Sequence, residues 1–181
     1  MSIITLKDVT MIFGGLAALT NVDFTLERGS LVGLIGPNGA GKTTIFNVLT
    51  GVYTPTSGVI EYQPHEDSSA KIINGLKPHI ISKIGIARTF QNIRLFKDLT
   101  VLDNVRIAMH QNVKYGLLSS FFHLPKYAKA EKKLLSDVEE LLKIVRLDHK
   151  KDELAKNLPY GEQRHLEIAR ALATDPILLL L

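Results

Sequence analysis

The segment Gly36-Pro37-Asn38-Gly39-Ala40-Gly41-Lys42-Thr43 matches the pattern G-x-x-x-x-G-K-[ST] at every fixed position. It constrains the fold more than any other stretch, because the pattern works only between a strand and a helix. The residues around it meet that condition. Leu31-Val32-Gly33-Leu34-Ile35 is an apolar run of the kind buried on both faces of a parallel sheet, and Thr43–Leu49 reads as a helix. The chemistry explains the spacing. A polyphosphate needs many short N–H donors pointing inward, and glycines let the backbone curl and approach closely enough to supply them. The first amides of the helix and the positive end of its dipole add to the cradle. Gly36, Pro37, Asn38, Gly39, Ala40, Gly41, Lys42, Thr43 and Thr44 are therefore the candidate nucleotide contacts. Lys42 is placed to reach the β- and γ-phosphates, Thr43 to ligate Mg²⁺ through its hydroxyl, and Thr44 to donate to the α-phosphate. A plain Gly-rich turn is the weaker reading, since it accounts for neither the lysine nor the flanking elements.

The rest of the chain can be placed around this loop. Ile3–Val9 and Val22–Leu26 read as strands on either side of a turn at Phe13-Gly14-Gly15. Thr54-Pro55-Thr56-Ser57-Gly58 is dense turn chemistry before a short strand at Val59–Tyr62, and residues 63–79 read as a polar surface insertion. Beyond residue 91 the character is helical. Thr100 and Asp103 make a capping-box-like start with Asp in place of Glu or Gln. Between Glu131 and Leu147, Leu134, Leu135, Val138, Leu141, Leu142 and Val145 share one face of a helical period. A further helix is predicted from about Glu162 to Ala173, stopped by Asp175-Pro176 and followed by the apolar strand Ile177–Leu181. This order predicts an α/β core interrupted by a helical lobe.

Composition removes several alternatives. Hydrophobic residues make up 45% and charged residues 22%, which is ordinary for a globular protein of 181 residues. The net charge of +4 is mild and interspersed, unlike the one-signed patch of a nucleic-acid binder. With no cysteine, disulfide frameworks, thiolate metal sites and cysteine nucleophiles are excluded. The first residues lack a basic stretch followed by an apolar core, so no secretory signal is expected. No apolar run approaches the ~18 residues of a membrane span. The six histidines show no metal-ligand spacing, and the guanine-reading Asn-Lys-x-Asp of GTPases is absent.

Leu158-Pro159-Tyr160-Gly161-Glu162-Gln163, running into a helix that ends Ala169-Arg170-Ala171-Leu172, resembles the signature loop of ABC-type ATP-binding subunits. The usual form is Leu-Ser-Gly-Gly-Gln, so Pro159 stands in place of Ser and Tyr160 in place of the first Gly. Arg88-Thr89-Phe90-Gln91 is similar to the Q-loop of the same family. The resemblance implies an α/β P-loop NTPase fold with a β-rich N-terminal subdomain, an inserted helical lobe and an incomplete C-terminus. It divides the chain into a nucleotide-binding core at 1–95, a helical lobe at 96–160 and the signature helix with a truncated strand at 161–181. It also implies site roles. Phe13 stacks on adenine, Gln91 positions Mg²⁺ and the attacking water, and residues 158–163 act in trans on ATP held by the other subunit of a head-to-tail pair.

Gly85–Phe96, Leu99–Val105 and the Pro-Tyr-Gly-Glu-Gln signature are most similar to the larger ATPase of branched-chain amino-acid importers and to related urea and amide importers. That resemblance implies ATP and Mg²⁺ as cofactors. The expected partners are membrane permeases, a sister ATP-binding subunit and, indirectly, an external solute-binding protein, with no nucleic acid. The expected location is peripheral, at the cytoplasmic face of a bacterial or archaeal plasma membrane. In such subunits Asp-Glu follows the strand matched by Ile177–Leu181. The expectation is thus an ABC ATPase by family whose given chain, lacking that general base, binds nucleotide without hydrolysing it. The alternatives are a non-catalytic, truncated nucleotide-binding fragment and the ATPase of a related urea/amide or other ABC importer.

Overall fold

The computed structural model describes residues 1–89, 93–110 and 125–181, the side chains of 125–129 excepted. They form two compact units, Met1–Ile86 with Leu180 and Ala87–Leu179 with Leu181.

The first unit is built on a long antiparallel hairpin. Strand β1 (Ser2–Phe13) pairs with β2 (Leu16–Glu27) through the turn at Gly14-Gly15, where both glycines have positive φ. Both strands extend further than the sequence pattern predicts. On its other edge β1 pairs with β3 (Ser57–Tyr62), which in turn pairs with the short β4 (Lys71–Ile72), giving the order β2-β1-β3-β4. Ile4 and Leu6 sit opposite Tyr62 and Ile60, and all four are buried. A bulge at Asp8 keeps this alternation in phase. Its φ is 51°, the register shifts between Leu6 and Val9, and Val9 and Met11 remain on the buried side. The Asp8 amide donates to Asp23 Oδ1 at 2.8 Å. Gly58 is required opposite the bulge, where a Cβ would lie 2.4 Å from the Asp8 carbonyl oxygen. Asn74 completes the edge. Its Oδ1 accepts from the Ile60 amide at 2.8 Å and its Nδ2 donates to the Gly58 carbonyl at 3.0 Å. Residues 63–79 are therefore more than a polar surface insertion: they contribute β4 and the buried Ile73.

Helix α1 (Lys42–Leu49) and helix α2 (Pro78–Lys83) belong to the same unit. The apolar run before the phosphate loop departs from expectation. Leu31–Ile35 forms no strand and is exposed, Leu31 at 98% and Ile35 at 92%. A strand is held by its neighbours, and among the described residues none is hydrogen-bonded to this run.

The second unit is helical. Helices α3 (Val101–Met109), α4 (Pro125–Ile144) and α5 (Tyr160–Leu172) enclose a core that includes Val101, Val105, Leu134, Val138, Leu142 and Leu166. Of the predicted amphipathic face, Leu134, Val138 and Leu142 are buried, Leu141 and Val145 pack against them, and Leu135 lies at the exposed margin. Thr100 caps α3 by accepting from the Asp103 amide at 3.0 Å, while its hydroxyl donates to Asp103 Oδ2 at 2.8 Å. The short Asp carboxylate meets the hydroxyl instead of the backbone amide that a Glu reaches in a capping box. Asn104 is completely buried and staples the preceding loop. It accepts from the Phe96 amide and donates to the carbonyls of Phe96, Thr100 and, at 3.4 Å, Leu99. Arg170 of α5 lies over the Phe96 ring at 4.8 Å and donates to the Arg94 carbonyl. Strand β5 (Ile86–Arg88) pairs with β6 (Leu178–Leu180), a shorter strand than the predicted Ile177–Leu181.

Candidate functional site

The phosphate loop leads directly into α1, one residue earlier than the sequence pattern predicts. Gly39 and Gly41 both adopt positive φ, at 85° and 84°. At Gly41 glycine is demanded twice, since a Cβ there would also sit 2.7 Å from the Ala18 carbonyl oxygen and from Leu19 Cδ2. That close approach seats the end of the loop against β2. Gly41 is also the N-cap of α1, so no side chain caps the helix and no acidic residue lies in its first turn. The opening amides are left to an anion from outside the helix.

Lys42 supplies the charge. Its Nζ folds back over the loop and donates to the Gly36 carbonyl at 2.6 Å and the Pro37 carbonyl at 2.7 Å. The ammonium is thereby held at the mouth of the loop by neutral carbonyls, which a phosphate oxygen can replace with a stronger, charge-assisted bond. Thr43 is exposed and Thr44 half-buried, both in the first turn of α1. These residues fit a nucleotide polyphosphate with its metal: uncapped amides, an ammonium, and a hydroxyl able to act as an oxygen ligand for Mg²⁺.

Phe13 closes β1 beside the hairpin turn, in the same unit as the loop. Its ring meets that of Tyr53 edge to face, with centroids 5.1 Å apart and planes at 74°. Sequence reasoning picks out Phe13 and misses Tyr53, because the two come together only when the segment after α1 returns to β1. Gln91 lies outside the described residues.

The signature segment belongs to the second unit. Leu158 is buried and anchors it, Pro159 is the N-cap of α5, and Tyr160 is the first helical residue. As at α1, no side chain caps this helix. Gly161 faces open space, with nothing within 4 Å of where a Cβ would stand. The other side chains hold the turn in place. Gln163 Nε2 donates to the Leu158 carbonyl at 2.8 Å, and Glu162 pairs with Lys150 at 2.7 Å. Tyr160 is exposed, its hydroxyl 3.3 Å from Arg164 Nε, and Arg164 pairs with the buried Glu167 at 2.9 Å. Among the described residues no cluster of His, Asp and Glu forms a metal site, and no helix is long and apolar enough to cross a membrane.

A family model described as ABC transporter matches residues 19–181. The high-affinity branched-chain amino acid transport ATP-binding protein LivG of Salmonella typhimurium is 41% identical over 179 residues, covering 99% of this chain and 68% of its own. BraF of Pseudomonas aeruginosa, with the same description, is also 41% identical, at 99% of this chain and 68% of its own. A probable LivG of Archaeoglobus fulgidus is 36% identical, covering 100% and 67%. Among solved structures, an ATP-binding cassette of an ABC transporter in its ADP conformation superposes with a TM-score of 0.77 at 31% identity, covering 97% of this chain and 66% of that one. A dimeric post-hydrolysis cassette bound to ADP and Pi gives 0.72 at 27% identity, covering 96% and 70%. The chain thus spans about two thirds of the length of these proteins.

Proposed function

This chain belongs to the ABC transporter family, and from that premise we propose that it is the ATP-binding subunit energising an importer of branched-chain amino acids. The observation that carries nucleotide binding is the uncapped start of α1 with the Lys42 ammonium held over the loop. The solute follows from the relatives named for branched-chain amino acid transport at 41% identity.

In this reading the loop amides and Lys42 grip the β- and γ-phosphates, and Thr44 donates to the α-phosphate. Lys42 exchanges its two carbonyl partners for phosphate oxygens as nucleotide enters. Thr43 and Gln91 would hold Mg²⁺, which neutralises charge on the phosphates when bound. Phe13 offers its ring to adenine. The signature turn serves a second subunit. Pro159 has no N–H, so the Tyr160 and Gly161 amides face the γ-phosphate held by the other copy, and Gly161 leaves room for the approach. The dimeric cassette bound to ADP and Pi, at 27% identity, supports such a pairing. Membrane permeases and an external solute-binding protein complete the transporter, which places this subunit peripherally at the cytoplasmic face of the membrane.

A polypeptide of residues 1–181 alone contains no side chain that this reading makes the general base. It is expected to bind nucleotide but to release phosphate about 10²- to 10⁴-fold more slowly than the same polypeptide extended to its relatives' length. Comparable release rates from the two would remove that assignment. The test of the function itself is Lys42→Ala. Losing charge-assisted bonds worth about 1.5–3 kcal/mol weakens MgATP binding roughly ten- to a hundred-fold. An unchanged affinity, measured by calorimetry, would overturn the site.

A further inference from the structure

The phosphate loop grips oxygens that every nucleoside triphosphate shares, so discrimination of the base has to come from elsewhere in the unit. The Phe13–Tyr53 ring pair lies in the same unit as the loop. Tyr53 is clamped on both sides. On the α1 side, its amide donates to the Asn47 carbonyl at 3.1 Å and that of Val52 to the same oxygen at 2.9 Å. Gly51 then turns with φ of 69°, so close to the chain that a Cβ would lie 2.2 Å from the Leu76 carbonyl oxygen. On the β1 side, the Thr56 amide donates to the Thr10 carbonyl at 2.8 Å, and Thr56 Oγ1 accepts from the Ile12 amide at 3.0 Å, one residue from Phe13. The segment after α1 is therefore fastened at both ends, and its one aromatic ring is delivered against Phe13.

Phe13 itself closes β1, paired with Leu16 across the hairpin. It ends its strand beside two glycines and is 39% exposed, as Tyr53 is 37% exposed. Each ring thus keeps surface free for a third aromatic partner. An edge-to-face contact aligns the positive rim of one ring with the negative face of the other, which fixes the plane of both. The same hairpin touches the loop at Gly41 through Ala18 and Leu19, so ring pair and phosphate cradle are parts of one framework.

We propose that Tyr53 is a positioning residue for base recognition, setting the plane in which Phe13 meets the adenine of the bound nucleotide. This rests on the reading of Phe13 as the adenine platform. Tyr53 need not touch the nucleotide. It shapes the part of the binding energy that comes from the base and leaves the phosphate part alone.

The experiment compares MgATP with magnesium tripolyphosphate, which has the phosphates and no base, on the wild-type chain and on Tyr53→Leu, Tyr53→Phe and Phe13→Leu. The expected result for Tyr53→Leu is a loss of about two- to tenfold in MgATP affinity, the worth of an aromatic pair, with tripolyphosphate affinity unchanged. Tyr53→Phe keeps the ring and is expected to bind both ligands like the wild type. Retained tripolyphosphate binding also reports that each variant is folded. If Phe13→Leu loses MgATP affinity selectively while Tyr53→Leu does not, the positioning role is overturned and the adenine platform stands. If neither variant separates the two ligands, the platform reading itself fails. Equal losses for both ligands in Tyr53→Leu, or tighter MgATP binding, overturn the positioning role as well.

Discussion

Tyr62 puts a phenol in the interior of the first unit, 1% exposed, with its hydroxyl donating to the Ile84 carbonyl at 3.1 Å. Burial pushes its pKa up to about 12, against an opposing pull from Arg28. An unfolded chain releases this proton near pH 10. The folded protein holds it longer, so the stabilisation is complete below about pH 10 and is lost as pH rises towards about 12. Tyrosinate absorbance should show a step rising towards about pH 12, and Tyr62→Phe should remove it. Gly58→Ala has a different cost. The position has φ of 86° and a carbonyl oxygen 2.4 Å from the new methyl. The expected loss, read by denaturant titration, is at least ~2 kcal/mol, the left-handed conformation accounting for about 1–2 kcal/mol before the clash. At this scale the sequence is most legible where spacing is itself the chemistry, as from Gly36 to Thr43. Asp8 and Gly58 are not legible, because a bulge and the glycine that clears it are set by the pairing of β1 with β3.

Helix α4 was legible from its periodicity, since Leu134, Val138 and Leu142 recur on one face whatever lies opposite, while the Thr100 start marks α3 and the Asp175-Pro176 stop marks α5. What lies opposite was not. Leu142 is completely buried against that cluster, and Leu142→Ala is expected to cost about 2–5 kcal/mol in urea unfolding. A loss below about 1 kcal/mol would mean that α4 is not the centre of the core. Leu31–Ile35 shows the limit of the same reasoning. An apolar composition states that a run is fit to be buried, but a strand also needs hydrogen-bonding neighbours, and a local pattern carries no information about whether they are present. Helices satisfy their own backbone and so are read more safely than strands.

For the molecule as a whole, the phosphate loop links nucleotide concentration to stability. A ligand that binds only the folded state at about a hundred times its Kd adds roughly 2.7 kcal/mol. MgATP should therefore raise the midpoint of the thermal transition that unfolds the loop by several degrees, and Lys42→Ala should abolish about half or more of that rise at the same concentration. Two compact units need not melt together, so the transition has to be followed by a probe in the first of them. The exposed Leu31–Ile35 run, which enters that loop directly, has a further effect on how the protein behaves in concentrated solution. Among the described residues its amides and carbonyls pair with no strand, and carried on apolar residues they are a template on which two molecules can pair strand to strand. Light scattering during storage should be suppressed by Val32→Lys, which sets a charge in the middle of the run. The stretch of chain that feeds the binding loop would then also decide the shelf life of the protein.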